Sequence, residues 1–94
     1  MIDNVITSIS EIARKYNADK AVLFGSRARG DNRFNSDYDI AIYGIPSKNQ
    51  PMLWAAFEEL PTLLKIDIVF VSDNTSSQLV ENIRKDGKII YAKD

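Results

Sequence analysis

Three features of the sequence predict an α/β (α+β) fold with helices packed on a small sheet. Apolar residues recur at three- and four-residue spacing in the stretches 3–16, 51–64 and 76–86. Short apolar runs with strand character lie between and after them, at 20–24, 38–43, 66–71 and 89–91. The two kinds of segment alternate along the chain, which is the order that lays helices on a sheet. Ninety-four residues, 45% of them hydrophobic, support one domain spanning 1–94 and one core near the small end of the usual range.

The first helix is read from Val5, Ile6, Ile9, Ile12, Ala13 and Tyr16, one apolar stripe. Asp3 or Asn4 can cap its start and Asn17 its end. Lys20–Phe24 is a short strand that delivers Gly25. Arg27–Asn32 reads as a short helix or turn, followed by a loop to Ser36. Tyr38–Tyr43 is the second strand, ended by Gly44, Pro46 and the polar run 47–50. Pro51 suits the first turn of a helix that carries Leu53, Phe57, Leu60 and Leu64. Pro61 costs about 3 kcal/mol inside a helix, so a kink or restart is expected near Leu60. Trp54 and Phe57 read as core, with Trp54 also a candidate for the rim of a partner interface.

Ile66–Val71 is the third strand. Ile66, Ile68 and Phe70 share one face, and Asp67, Val69 and Val71 the other. A carboxylate on such a strand needs a partner. A last helix over 76–86 points Leu79, Val80 and Ile83 inward, pairs Glu81 with Lys85 and stops at Gly87. Ile89-Ile90-Tyr91 closes the sheet.

Composition excludes several classes of function. The net charge of −1 argues against a broad nucleic-acid or membrane footprint. With no cysteine there is neither a disulfide framework nor a zinc cluster. With no histidine, histidine triads and the commonest general base are absent. Met1-Ile2-Asp3-Asn4 does not begin a signal peptide and no apolar run approaches a membrane span, so a cytoplasmic setting is expected.

The chemistry gathers in Leu23-Phe24-Gly25-Ser26-Arg27-Ala28-Arg29-Gly30 and Ser36-Asp37-Tyr38-Asp39-Ile40. Asp37 and Asp39 are two apart, so in extended backbone they share a face with Cα atoms about 6.6 Å apart. At about 6 Å and an effective dielectric near 20 they repel by roughly 3 kcal/mol. Protonation, a recruited Arg or Lys, or a bound cation would each relieve this. Hard cations such as Mg²⁺ favour one or two carboxylates together with phosphate oxygens. A pair of such ions, about 3.5–4 Å apart in two-metal sites, suits this spacing. Gly25 admits unusual backbone angles and close approach, and Ser26 can cap the following helix or bond an anion. A helix start after glycine favours phosphate, and Arg27, Arg29 and Arg33 add positive charge. A Walker A loop is absent, because no Gly-Lys-Ser/Thr follows at the required spacing.

Gly25-Ser26-x-x-x-Gly30 … Ser36-Asp37-x-Asp39 resembles the signature of the DNA polymerase beta-like nucleotidyltransferases, in particular the minimal (MNT) branch. The resemblance runs from about Val22 to Val71, with no departure at the motif positions. It implies a nucleotidyltransferase fold with a mixed sheet and carboxylates clustered at one edge. It implies a third acidic residue on a later strand, for which this chain offers Asp67. It further implies Asp37, Asp39 and Asp67 as catalytic, metal-holding residues for two Mg²⁺ ions, and Gly25, Ser26, Arg27, Arg29 and Ser36 as nucleotide-binding residues. The implied reaction moves AMP from ATP to a hydroxyl. The implied acceptor is a tyrosine of a helical HEPN-type toxin, for which the protein is the antitoxin. Two other readings remain. One is a non-catalytic module that neutralises a partner by contact. The other is half of a small-molecule (antibiotic) nucleotidyltransferase. The base, the acceptor and the oligomeric state, a homo-oligomer included, are left open by the sequence.

Overall fold

The computed structural model describes residues 3–94. Met1 and Ile2, where the reading of the N-terminus begins, lie outside the described residues. The elements are α1 (Asn4–Lys15), β1 (Lys20–Phe24), α2 (Ser26–Arg29), β2 (Tyr38–Tyr43), α3 (Gln50–Glu58), β3 (Ile66–Phe70), α4 (Ser77–Asp86) and β4 (Lys88–Ala92). A turn of 3-10 helix, Ser47–Asn49, leads into α3. The strands form one sheet in the order β3-β2-β1-β4. β1 runs antiparallel to β2 and β4, and β2 runs parallel to β3. The sheet is therefore mixed, with α3 in the crossover that a parallel pair requires.

Each strand sorts its residues between two faces by simple alternation. Ala21 and Leu23, Tyr38, Ile40 and Ile42, and Ile66, Ile68 and Phe70 pack with Ile9 and Ala13 of α1 and Leu53 and Phe57 of α3. Val22 and Ala41 pack with Ile83 of α4, flanked by Phe24, Tyr43, Val71 and Leu79. α4 lies over β1, so the second face is less fully covered toward β3. Asp39 and Asp67 stand on that second face, in the alternation with Ala41 and Val69. Among the described residues no helix is long and apolar enough to cross a membrane.

The caps explain where the helices begin. Asp3 Oδ1 accepts from Val5 N at 2.9 Å and Ile6 N at 3.2 Å, and Asp3 Oδ2 accepts from the Tyr38 hydroxyl at 3.0 Å. One carboxylate thus ties the start of α1 to the start of β2. Asp3→Ala is expected to cost about 1–2 kcal/mol, the usual worth of a lost cap. That lowers the melting temperature by about 4–8 °C per kcal/mol in a domain of this size, as circular dichroism would show. Asp3→Asn keeps an acceptor at the cap and should recover most of the loss.

Four expectations need correction. α3 ends at Glu58 and does not restart; Pro61 lies beyond it in irregular chain, and Leu64 is not on a helix. The backbone before proline disfavours helix, which is enough to end it. Val80 is exposed rather than inward, because Leu79 and Ile83 already fill the face of α4 toward the sheet. Glu81 pairs with Arg84, one residue nearer than Lys85. Trp54 is not core: it is 53% exposed, whereas Phe57 on the next turn is 4% exposed.

Gly87 ends α4 for a different reason from the expected one. Its backbone is extended (φ −70°, ψ 145°), not left-handed. A Cβ there would lie 2.6 Å from Val22 Cγ1 and collide with the Ile83 carbonyl. Glycine lets the chain pass close to β1 at this point. Asn17 does hold the left-handed conformation (φ 64°) after α1, a conformation that asparagine tolerates.

Candidate active site

β1 leads straight into Gly25 at the edge of the second face, and β2 and β3 bring two carboxylates beside it. Phe24 registers with Asp39, and Asp39 registers with Asp67 on the parallel strand. The two aspartates are direct neighbours across one strand spacing, about 4.8 Å. Asp37 lies just before β2 and is exposed. Its charge reaches Asp39 nonetheless. The Asp39 carboxyl is pushed up from its ordinary range by burial first, then by Asp67 and Asp37, while Arg29 pulls it down. The three acids therefore share one electrostatic site. Local spacing joins only Asp37 and Asp39; the resemblance adds Asp67, and the parallel register of β3 sets it beside Asp39.

Gly25 touches this site directly. It caps α2 with φ 75° and ψ −156°, a region used almost only by glycine. A Cβ at this position would collide with Oδ2 of Asp39. The backbone of Gly25 and the carboxylate of Asp39 are thus packed face to face. Ser26 is the first residue of α2, and Gly25, not Ser26, occupies the capping position without a side-chain cap bond.

The arginines and Ser36 are engaged in shaping the loop. Arg27 Nε donates to the Ser36 carbonyl at 2.9 Å and its Nη2 to the Phe34 carbonyl at 3.2 Å. Its guanidinium stacks 4.1 Å from the centre of the Tyr38 ring. Arg27 therefore braces the loop that delivers Asp37. Arg29 pairs with Asp31 at 3.1 Å and with Asp86 of α4 at 3.3 Å. Ser36 Oγ accepts from Arg33 N at 2.9 Å, closing a tight turn. Tyr38 has its hydroxyl pKa raised by burial, then by the bond to Asp3.

Two features beside Asp67 were not located from the sequence, which asks a partner for this carboxylate without naming one. Lys65 Nζ lies 3.2 Å from Asp67 Oδ1, and Asp67 raises the pKa of the lysine. Lys65 stands two residues before Asp67, the spacing that puts side chains on one face of extended chain, and this was the available signal. The second feature is a cavity of about 370 Å³ around the β3 edge, lined by Trp54, Phe57, Leu60, Leu64, Lys65 and Asp67 among others. It brings apolar residues of three segments together, and no local pattern encodes that.

The donor set is all oxygen, which suits a hard divalent cation rather than a soft one. Among the described residues no three acidic side chains converge on one point in this arrangement. Asp39 and Asp67 are side by side, and Asp37, just before β2, is near enough for its charge to act on Asp39. The chemistry of these residues fits a divalent metal, which the three carboxylates would hold only by drawing closer together.

Comparison with known proteins bears on the family and the fold. The family described as Polymerase beta, Nucleotidyltransferase matches residues 7–94. A curated relative, the protein adenylyltransferase MntA of Aphanizomenon flos-aquae (strain 2012/KM1/D3), is 38% identical over 86 residues. That match covers 74% of this chain and 54% of the relative, so the chain spans about half the length of the curated protein. Among solved structures, a toxin–antitoxin with AMP-PNP superposes with a TM-score of 0.66 at 23% identity, covering 95% of this chain and 74% of that one. A mutant of the toxin–antitoxin MntA-HpeT gives a TM-score of 0.65 at 21% identity, with the same coverage. These two likenesses are likenesses of fold. With the family match spanning nearly the whole chain, over a mixed sheet that sets Gly25 against Asp39 and Asp39 beside Asp67, the protein belongs to the polymerase beta nucleotidyltransferase family.

Proposed function

We propose that this chain is a nucleotidyltransferase unit that moves AMP from ATP to a hydroxyl of a partner protein. The observation that carries the reading is the row Gly25–Asp39–Asp67, a phosphate-tolerant glycine packed on one of two adjacent carboxylates. Backbone N–H groups at Gly25-Ser26 and the start of α2 receive the triphosphate. Asp37, Asp39 and Asp67 would hold two Mg²⁺ ions. Bound there, the ions would neutralise phosphate charge and make the incoming hydroxyl more acidic. Asp67 accepts the hydroxyl proton, the hydroxyl oxygen bonds to the α-phosphorus, and the bond to the β-phosphate oxygen breaks. The products are an AMP ester and pyrophosphate. Arg27 contributes by holding the loop of Ser36 and Asp37 in place. Ser36 can still donate its hydroxyl to the nucleotide while accepting from Arg33 N, and Arg29 keeps free N–H donors beside those it gives to Asp31 and Asp86.

A protein acceptor is supported by the adenylyltransferase named among the relatives and by the likeness to toxin–antitoxin folds. In this reading the partner is a HEPN-type toxin, the modified group a tyrosine, the protein an antitoxin and the compartment the cytoplasm. Residues 1–94 act as one catalytic unit. The test is to incubate the protein with Mg²⁺ and lysate of its own host, using ATP labelled at the α- or the γ-phosphate. Label from α but not from γ should appear on one protein band and vanish with EDTA. Label from γ would indicate phosphoryl transfer. No label from either, with a partner still captured, would favour neutralisation by contact alone.

A further inference from the structure

Lys65 makes the one ion pair that any of Asp37, Asp39 and Asp67 forms among the described residues. Its backbone is fixed, because its carbonyl accepts from Tyr38 N at 3.0 Å and so opens the pairing of β2 with β3. Its side chain is free to move, being 73% exposed and bonded only to Asp67. A cation anchored at its Cα, loose at its tip and resting on an acidic site has the properties of a built-in counter-ion. It contributes little to the fold, since an exposed pair stabilises weakly. It offsets part of the repulsion among carboxylates that sit close together without metal.

We propose that Lys65 is a positioning residue that occupies Asp67 in the metal-free protein and must be displaced when a divalent cation binds. The proposal rests on the reading of Asp37, Asp39 and Asp67 as the metal-holding set. Binding then becomes an exchange of one cation for another at Asp67. The exchange weakens metal affinity and keeps the empty site from pushing itself open. Removing the lysine charge should accordingly tighten metal binding.

The experiment is a Mn²⁺ titration of the full chain without nucleotide, with free Mn²⁺ followed by electron paramagnetic resonance. Wild type, Lys65→Met, Lys65→Arg and Asp39→Asn are compared. Lys65→Met should bind Mn²⁺ about fivefold more tightly at low salt, the size expected for one charge removed near a divalent ion in a largely solvated site. The gain should shrink as salt rises. Lys65→Arg keeps the charge and should stay near wild type. A purely structural role would lower the melting temperature of Lys65→Met without tightening metal binding. Equal or weaker binding by Lys65→Met, with Mn²⁺ still bound in a manner that Asp39→Asn abolishes, overturns the role of Lys65 alone. Absence of any Asp39-dependent Mn²⁺ binding in wild type overturns the metal reading and the role of Lys65 with it.

Discussion

Asp39→Asn is expected to abolish nucleotidyl transfer and, in the same molecule, to make the metal-free protein more stable. The loss of transfer follows from removing the central carboxylate of the row, which registers with Asp67 and touches Gly25. Losing a group that organises charge at the transition state costs about 10²–10³-fold, and more where a metal is lost with it. The gain in stability follows from the environment of the carboxyl. Its pKa is raised above the ordinary 3.8 by burial and by Asp67 and Asp37. An acid raised in this way favours the fold when protonated. Its contribution is full below the ordinary value and is lost as pH rises through the raised one. At neutral pH the ionised group therefore opposes folding.

Two carboxylates about 5 Å apart repel by about 1–3 kcal/mol between aqueous and protein-like dielectrics, and partial exposure favours the lower end. A rise of about 4–8 °C in the melting temperature should follow in EDTA at pH 7. The difference should narrow toward pH 4, and also on adding Mg²⁺, which restores the advantage of wild type. A variant that is inactive and also less stable in EDTA would show that the Asp39 carboxylate makes favourable contacts, contrary to its raised pKa.

Gly25→Ala should damage the site more than its added methyl group would suggest. Its backbone (φ 75°, ψ −156°) lies where only glycine is comfortable, at a cost of about 1–3 kcal/mol for other residues. The added Cβ also collides with the Asp39 side chain and must push it aside. A catalytic group misplaced by about 1 Å can cost about 10²-fold in rate. The expected outcome is a melting temperature lower by several degrees and transfer reduced at least about 10²-fold. Gly30→Ala is the matched control. Gly30 is left-handed (φ 84°, ψ 10°), but a Cβ there meets nothing within 4 Å. It should lose about 1–2 kcal/mol from its backbone angle and keep transfer at close to the wild-type rate. Equal loss of transfer in the two variants would mean that Gly25 matters for folding and not for the site.

Much of this architecture can be read in the chain because its signals are local. The stripe through Ile9 and Ala13 and the alternation of Ile66-Asp67-Ile68 each place a face with no knowledge of the fold. Gly25 and the Asp37-Tyr38-Asp39 spacing mark the edge where the chemistry gathers. What stayed hidden depends on distant partners. Arg27 and Arg29 look like free positive charge in sequence. One is spent on carbonyls of the loop and the ring of Tyr38, the other on Asp31 and Asp86. Trp54 is left exposed because Leu53 and Phe57 take the core-facing positions of α3, and Gly87 is confined by Val22, a residue far away in the chain, as well as by the nearby Ile83 carbonyl. Lys65 was within reach of the spacing rule that linked Asp37 to Asp39, but it lies outside the motif.

The most direct measurement is anomalous diffraction from crystals grown with Mn²⁺ and a non-hydrolysable ATP analogue. Two anomalous peaks about 3.5–4 Å apart are expected among Asp37, Asp39 and Asp67. The triphosphate should lie on the backbone of Gly25 and Ser26, with Lys65 swung away from Asp67. Triphosphate density elsewhere, or manganese that does not touch Asp39, would contradict the assignment of this row as the catalytic centre.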